Sequence, residues 1–597
     1  MRVIKGCLGL VIVLVLSAGA GWPQTAEGSR ARVEQLWREA LTAQQAQQYD
    51  KAIALYREAL AIDPELVEAE VNLGLMYQLK SELEPAIACF KLALRQAPDL
   101  YAPNLLTGLD YQRLSQPEQS LPYLSKSVAL QPKDAKAVLG LANSDLQLHR
   151  YGLARELFAR AVELDGRSAE AWYGLGASYF SLEKEAESRM RSERTVFRTL
   201  LLAQSELQQG QRAHAIELFK TSLAQNPPVL CSRADLGFAY LEDGQAASAE
   251  REFQSSGGCL AGRLGLAALA AERGQPDRAV SELRAATAVD AAAVRTASDQ
   301  FLPYFAKAGR EADARQAMEQ SGETPPASLS ATDLFHSGRY SSCAQLLASR
   351  LHELKRPELE MLAECAYYAG NDSLVLQATD SVLKTAPDDA EALYWRISSL
   401  GRLGLLSLAT ATGIKPDSVS LHMMYADMLR SKNNFSQAEE EYRKAIALDA
   451  KFLPAHASLA RTLYWDNKRD EAEAEAQVVL RADPAEPDAN YVMGDVLVAR
   501  QEFDRALPFL SAALRVPAEE RPHVHAELSK VYDQQGQLAR AIAELKQALA
   551  ADADGSYHYR LARLLERAGE HSAAMQAMTQ SRQLRAQSDE ISLVRNQ

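Results

Sequence analysis

Cysteine is scarce in this 597-residue chain, and none of its six cysteines lies in a C-x-x-C or C-x-x-C-H spacing. Zinc ribbons and c-type haem attachment are excluded on that ground. A basic surplus is also missing: 65 Lys plus Arg stand against 78 Asp plus Glu, a net charge of −13. Such a surface repels phosphate backbones, so no nucleic-acid partner is expected. Beyond the first 20 residues no run reads as apolar enough to span a membrane. Catalytic signatures are lacking too. There is no G-x-S-x-G and no phosphate loop. His352-Glu353 begins an H-E-x-x-H, but Arg356 stands where the second ligand belongs. Asp552-Ala-Asp554-Gly555 imitates part of a calcium loop whose first and twelfth positions are Ala550 and Leu561. Gly174-Leu-Gly176 meets Tyr179 where a dinucleotide fingerprint needs glycine. No catalytic residue, metal site or cofactor is expected, and isolated His456, His523, His525, His558 and His571 read as surface or helix-packing residues.

The first 20 residues form a separate object. Arg2 and Lys5 precede an apolar run from Gly6 to Leu16, and Ala18-Gly19-Ala20 supplies small residues at a cleavage point. This reads as a secretory signal peptide, with an uncleaved inner-membrane anchor as the alternative. Cleavage leaves a periplasmic or secreted product with a net charge of −15 after loss of Arg2 and Lys5.

What the chain does have is a period. Pro64, Pro98, Pro132 and Gly166 fall at intervals of 34 residues, and Gly74, Gly108, Ala142 and Gly176 follow ten residues behind them. Within one unit Leu73, Gly74 and Tyr77 lie on one face of a first helix, and Ala86, Phe90 and Ala93 on one face of a second. Gly74 and Ala86 are small because antiparallel helices approach closely there, and Pro98 ends the unit because it lacks an amide hydrogen. The pattern returns as Ala426, Ala438, Tyr442 and Ala445; Leu459, Ala460, Ala472 and Pro484; Met493, Gly494, Ala506 and Ala513; and Leu528, Tyr532, Ala541 and Ala548. These residues resemble the tetratricopeptide repeat family over nearly the whole mature chain. The resemblance implies an all-α fold, an α-solenoid (right-handed superhelix) of antiparallel helix pairs with roughly 16 repeats.

Breaks in register divide the chain into a signal peptide (1–20), an N-terminal block (32–182), a charged helical extension with degenerate repeats (183–320), a linker (321–329), a C-terminal block (330–585) and a polar tail (586–597). The first helix carrying Trp172, Leu175, Gly176 and Tyr179 is followed by a dense charge run from Glu183 to Arg194 rather than by an ordinary second helix. Gly322, Pro325 and Pro326 make the linker the expected hinge between two superhelical arms. In an oxidising compartment Cys231 with Cys259, and Cys343 with Cys365, are candidate disulfides, with buried free thiols as the alternative.

Repeat stacks hold partners on their inner face. In the first block that face is expected to carry Trp37, Val71, Leu75, Leu105, Leu109, Leu139, Tyr173 and Phe180, with Asn72 and Asn143 among them, an apolar groove suited to an extended peptide or amphipathic helix. Those positions also read as packing on neighbouring helices. Trp37, Leu41, Ala102 and Leu106 occupy places where chaperone-binding relatives carry a basic and asparagine clamp, so that clamp is absent. The third block offers Met423, Met424, Asp427, Arg430, Arg461, Trp465, Tyr491, Asp495, His523, Lys530 and Arg563, a mixed-charge aromatic lining suited to protein or carbohydrate. The expected function is a non-catalytic scaffold binding protein partners in a bacterial cell envelope. The alternatives are a polysaccharide export or assembly factor and an enzyme hidden in the degenerate repeats.

Overall fold

The computed structural model describes residues 27–596 apart from 115, 191–194, 226–228, 321, 323, 324, 326, 327, 432, 433 and 517–519. The signal peptide, the end of the charge run and most of the linker therefore lie outside the described residues. Among those described are 33 α-helices, two short 3-10 helices and no strand. Consecutive helices pair and stack as an α-solenoid of roughly 16 repeats.

Two recurring turns set this geometry. Inside a repeat the chain reverses through one left-handed residue: Gln47, Ser81, His149, Asn467 and Gln501 at φ of 58° to 63°, and glycines such as Gly210, Gly244 and Gly536 at 73° to 78°. Between repeats the second helix ends at an aspartate whose carboxylate accepts the amide two residues on, as Asp63 does from Glu65 (3.1 Å), Asp449 from Lys451 (3.0 Å) and Asp483 from Ala485 (3.0 Å). The next first helix is then tied back. Asn104, Trp172 and Asn490 donate to the carbonyls six residues earlier, of Pro98, Gly166 and Pro484, each at 3.0 Å. The core follows from small-against-large contacts. A methyl group added at Gly74 would lie 2.6 Å from the Phe90 ring, and one at Gly494 2.5 Å from Leu510.

The chain divides into two compact units, Met1–Thr410 and Ala411–Gln597. Within the first, helix pairs from Glu27 to Leu164 stack regularly. The Ala169–Met190 helix continues into the charge run instead of turning. From Val196 the chain runs outward in short pairs to Met318, then returns from Ala331 alongside the pairs it has just made. Leu230 N donates to Glu364 Oε1 (2.9 Å), Leu260 N to Tyr340 Oη (3.3 Å), Ser341 N to Asp290 Oδ2 (2.7 Å) and Gln204 Nε2 to Tyr394 Oη (3.1 Å). One apolar core extends from Ala186 to Ile397 through residues on both sides of the linker.

One expectation is corrected. The linker is not a hinge between arms that touch only their neighbours, because the segments it joins share that core. The helical extension expected over the charge run is present as far as Met190, with Lys184, Glu185 and Glu187 exposed, while Arg189 bonds the Pro387 carbonyl and lies 3.9 Å from Asp388, and a methyl at Gly401 would meet Glu183 Oε1 at 2.7 Å. The expectation of no further apolar span also needs amendment. The returning helix Ala390–Ile414 is long and apolar enough to cross a membrane by length and composition alone. In this structure Trp395 and Leu400 of that helix are fully buried against protein.

The structure pairs Cys231 with Cys259 and Cys343 with Cys365, and leaves Cys89 free and buried. The Cys231–Cys259 bridge lies in the outgoing row and the Cys343–Cys365 bridge in the returning row. Tyr340 stands between the two rows, with its hydroxyl 3.5 Å from Cys231 Sγ.

This region also holds a buried carboxyl group, Glu364, and two half-buried ones, Asp235 and Glu391. Burial pushes Glu364 up to about 8 despite the Leu230 bond. Asp235 is pushed up to about 7 by burial, and Glu391 to about 7 by burial and then by Glu360 and Asp389. Each keeps its proton in the folded chain well above the pH, about 4, at which the unfolded chain releases it. This contribution to stability is full below that unfolded value and is lost as pH rises through 7 to 8. The melting temperature of this region, read by near-ultraviolet circular dichroism, is therefore expected to fall between pH 6 and pH 8.5. A rise over that interval would contradict the assignment.

Candidate partner-binding face

The apolar groove expected in the first block is largely core. Trp37 (7% exposed), Val71, Asn72 and Leu105 are buried, and Trp37 packs edge-on to Tyr56 at 5.6 Å. Leu75, Leu109 and Leu139 are half-buried against the helix-pair clusters, and Asn143 and Tyr173 are half-buried as well. Phe180 is covered by the returning helix, since a methyl at Gly404 would lie 2.7 Å from its ring. The buried positions do not line a groove, because a residue one turn from the small contact position packs on the neighbouring repeat as much as it faces the inner surface. A groove of about 810 Å³ does exist in this block, between the Leu83–Gln96 helix and the repeat after it, lined by Ile87, Leu92, Tyr111, Leu114 and Tyr123. None of the expected residues lines it.

The second unit is different. The residue after each small first-helix position is charged: Asp427, Arg461, Asp495, Lys530 and Arg563 follow Ala426, Ala460, Gly494, Ser529 and Ala562. Repetition of the helix pair places them on equivalent sites of successive first helices. Arg461 is 4% exposed, ion-paired to Asp488 and Glu520, and lies over the rings of Trp465 (5.1 Å) and Tyr491 (5.4 Å). Arg430 pairs with Asp427 at 3.0 Å and also lies over Trp465, at 5.6 Å, while Tyr442 donates to Asp427 at 2.5 Å. Trp465 is 42% exposed. Met423 and Met424 are buried and do not line the face. His523 contacts Tyr557 Oη at 3.1 Å, and Arg563 is exposed.

Two of the expected residues converge on a cavity of about 570 Å³. Asp495 and Lys530 line it with Arg469, Glu527, Asp533 and Arg560, and Val498 and Phe503 add apolar wall. Arg469, Lys530 and Arg560 stand against Asp495, Glu527 and Asp533 on its wall. Burial, and then the Glu527 carboxylate, push Asp495 up to about 6. Lys530 Nζ is 2.6 Å from Glu527 Oε1. Burial holds the Arg560 guanidinium below its ordinary value, and it donates to the Ala526 carbonyl at 3.1 Å.

Glu527 and Arg560 were missed from sequence. Their signal is positional, because each stands three residues before the charged site that was singled out, Lys530 or Arg563. The histidines have packing roles. His422, His456 and His525 occupy one repeat position, and each bonds a glutamate 19 residues later at 2.6 Å: Glu441, Glu475 and Glu544. Among the described residues no group of three or more His, Cys, Asp or Glu could hold a metal.

Family models of the TPR or tetratricopeptide repeat match residues 45–81, 139–194, 429–496 and 527–589. No curated protein matches the chain. The chain is similar to YrrB, described as a TPR protein with an unusual peptide-binding site, at 25% identity over 26% of this chain and 85% of that one, TM-score 0.25. It is also similar to Naa15/Naa10 bound to HypK-THB, at 14% identity over 93% and 99% of the two chains, TM-score 0.32. A tetratricopeptide repeat protein from Parabacteroides merdae matches at 15% identity over 43% and 92%, TM-score 0.24.

Proposed function

We propose that this chain, whose matched stretches are tetratricopeptide repeats, is an exported, non-catalytic scaffold of a bacterial cell envelope that holds a protein partner on the inner face of its second unit. The observation that carries this reading is the 570 Å³ cavity bounded by Arg469, Asp495, Glu527, Lys530 and Arg560. Charges of both signs beside Val498 and Phe503 suit a peptide, which offers main-chain and charged groups beside apolar ones. Export draws support from the leader-like composition of residues 1–20 and from two disulfides, which persist in oxidising compartments. The polysaccharide reading gains less, because the exposed ring it would use for sugar stacking, Trp465, already carries Arg430 and Arg461.

Arg469 and Arg563 are exposed, so reversing both charges leaves the helix core untouched. The Arg469→Glu/Arg563→Glu protein is expected to retain its helicity and melting curve while its capture of partners from envelope extracts falls at least about tenfold, a change of about 1.4 kcal/mol. Undiminished capture by the folded variant would move the site elsewhere, with the tyrosine-lined 810 Å³ groove as the next place to look.

A further inference from the structure

An ordinary repeat of this chain places the small residue of its second helix 12 positions after that of its first: Gly74 to Ala86, Ala142 to Ala154, Ala426 to Ala438. The repeat begun by Trp172, Leu175, Gly176 and Tyr179 has Ser188 at that place, and its helix runs straight past it. What lies against Gly176 comes from 228 positions later. A methyl at Gly176 would meet the Gly404 carbonyl oxygen at 3.3 Å, Ser407 Cβ at 3.4 Å and the Leu408 amide nitrogen at 3.7 Å.

That contact has the signature of a helix pair within one repeat. From Gly108 and Gly494 the nearest backbone atom is an amide nitrogen, that of Leu124 and of Leu510, each at 3.3 Å, and the Leu408 amide nitrogen stands in the same register to Gly176 at 3.7 Å. Leu124 and Leu510 stand four residues after the small residues Ser120 and Ala506, as Leu408 stands four after Gly404. From Gly404 the sequence continues with Leu408, Ala411 and Pro416 at steps of 4, 7 and 12, the steps by which Phe90, Ala93 and Pro98 follow Ala86. Pro416 precedes Ala426 by ten, as Pro64 precedes Gly74. Further along the same pair, Gly404 admits the Phe180 ring and Gly401 admits Glu183, so the two long helices run antiparallel with glycines where they come closest.

We infer that the fifth repeat is composite: the Ala169–Met190 helix is its first helix, the Gly404–Leu408 stretch of the returning helix is its second, and residues 191–395 are a module inserted between them. The returning helix is the clasp. Its Leu393, Tyr394, Trp395 and Ile397 belong to the module core, while Gly404 and Leu408 close the N-terminal array. It carries no proline to uncouple the two halves. Both disulfides fall inside the module, so covalent bracing of the insertion also braces the helix that completes the repeat. This inference does not depend on which face holds the partner.

The test is a size exchange in the full-length protein, read by hydrogen exchange of peptides from residues 169–182. Gly404→Leu drives a side chain into the Phe180 ring and is expected to lower protection there at least tenfold, with residues 67–113 unaffected. Phe180→Ala alone opens a hole and gives a smaller loss. The double variant Gly404→Leu/Phe180→Ala is expected to recover most of the protection, because the new leucine fills the space the ring vacates. Should Gly404→Leu not fold, the comparison of Phe180→Ala with the double variant decides the matter, since recovery in the double variant requires direct packing across the insertion. Losses that simply add in the double variant, or protection at 169–182 indifferent to Gly404→Leu, would overturn the composite repeat.

Discussion

Gly258→Ala is expected to destabilise the inserted region by at least about 4 kcal/mol, a magnitude reserved for substitutions that break a buried constraint. A methyl group at this position would overlap the backbone carbonyl oxygen of His336 and crowd its carbon at 2.8 Å. Backbone cannot rotate out of the way as a side chain can. His336 ends the first helix of the returning row, and Gly258 adjoins Cys259, whose sulfur is bridged to Cys231. Relief therefore requires the outgoing and returning rows to part, which exposes Tyr340, Cys343 and the core around them. Urea unfolding followed by near-ultraviolet circular dichroism measures the loss. Gly152→Ala is the matched control, since a methyl there meets nothing within 4 Å, and it is expected to change stability by no more than about 1 kcal/mol. Equal curves for the two variants would mean that the rows do not meet at Gly258.

The reasons why some of this fold is legible in the sequence are physical. Glycine and alanine at fixed intervals are forced wherever two helices touch, so Gly74, Gly494 and Ala438 announce their contacts without knowledge of the third dimension. The inserted module is hidden for the same reason. A methyl at Gly176 would also meet backbone at 3.3 Å, but the partner, Gly404, lies 228 residues away, and a search at 12 residues finds only Ser188 and charge. Within the charge run Lys184, Glu185 and Glu187 are exposed, but Glu183 lies against a glycine and Arg189 against the Pro387 carbonyl, contacts that composition does not announce.

The binding face was legible to a different degree. Asp495 and Lys530 could be placed because the inner position of a first helix recurs every 34 or 35 residues. Whether a given residue there faces solvent or the next repeat depends on the size of its neighbours, which periodicity does not encode. Trp37 and Leu105 are drawn into the core by burial of apolar area, whereas Asp495 and Lys530 are held at a cavity wall by charge. Apolar residues at inner positions are thus poor evidence of a groove, and charged residues at the same positions are better.

Arg402→Ala should cost about 3 to 5 kcal/mol, the range for removing one member of a buried ion pair. Its guanidinium grips Asp372 through three contacts of 2.6 to 3.1 Å, donates to the Tyr367 carbonyl at 2.8 Å, and lies 4.0 Å from the centroid of the Tyr367 ring. Asp372 has little other support. Its side chain is 6% exposed, and its remaining bond is from Ser399 Oγ at 2.6 Å. Alanine would leave a buried carboxylate nearly alone. Because Arg402 stands two residues before Gly404 on the returning helix, the damage should reach the clasp as well as the module. The fully buried Trp395, 5.3 Å from Tyr367, provides a fluorescence readout for urea unfolding. Arg402→Met/Asp372→Leu separates the two parts of the cost. If the penalty comes mainly from the stranded charge, the double variant should recover most of the stability, since an apolar pair of similar volume avoids burying any charge. If it stays as unstable as Arg402→Ala, the hydrogen bond to the Tyr367 carbonyl and the stacking on its ring hold the helix, and the carboxylate is a passenger.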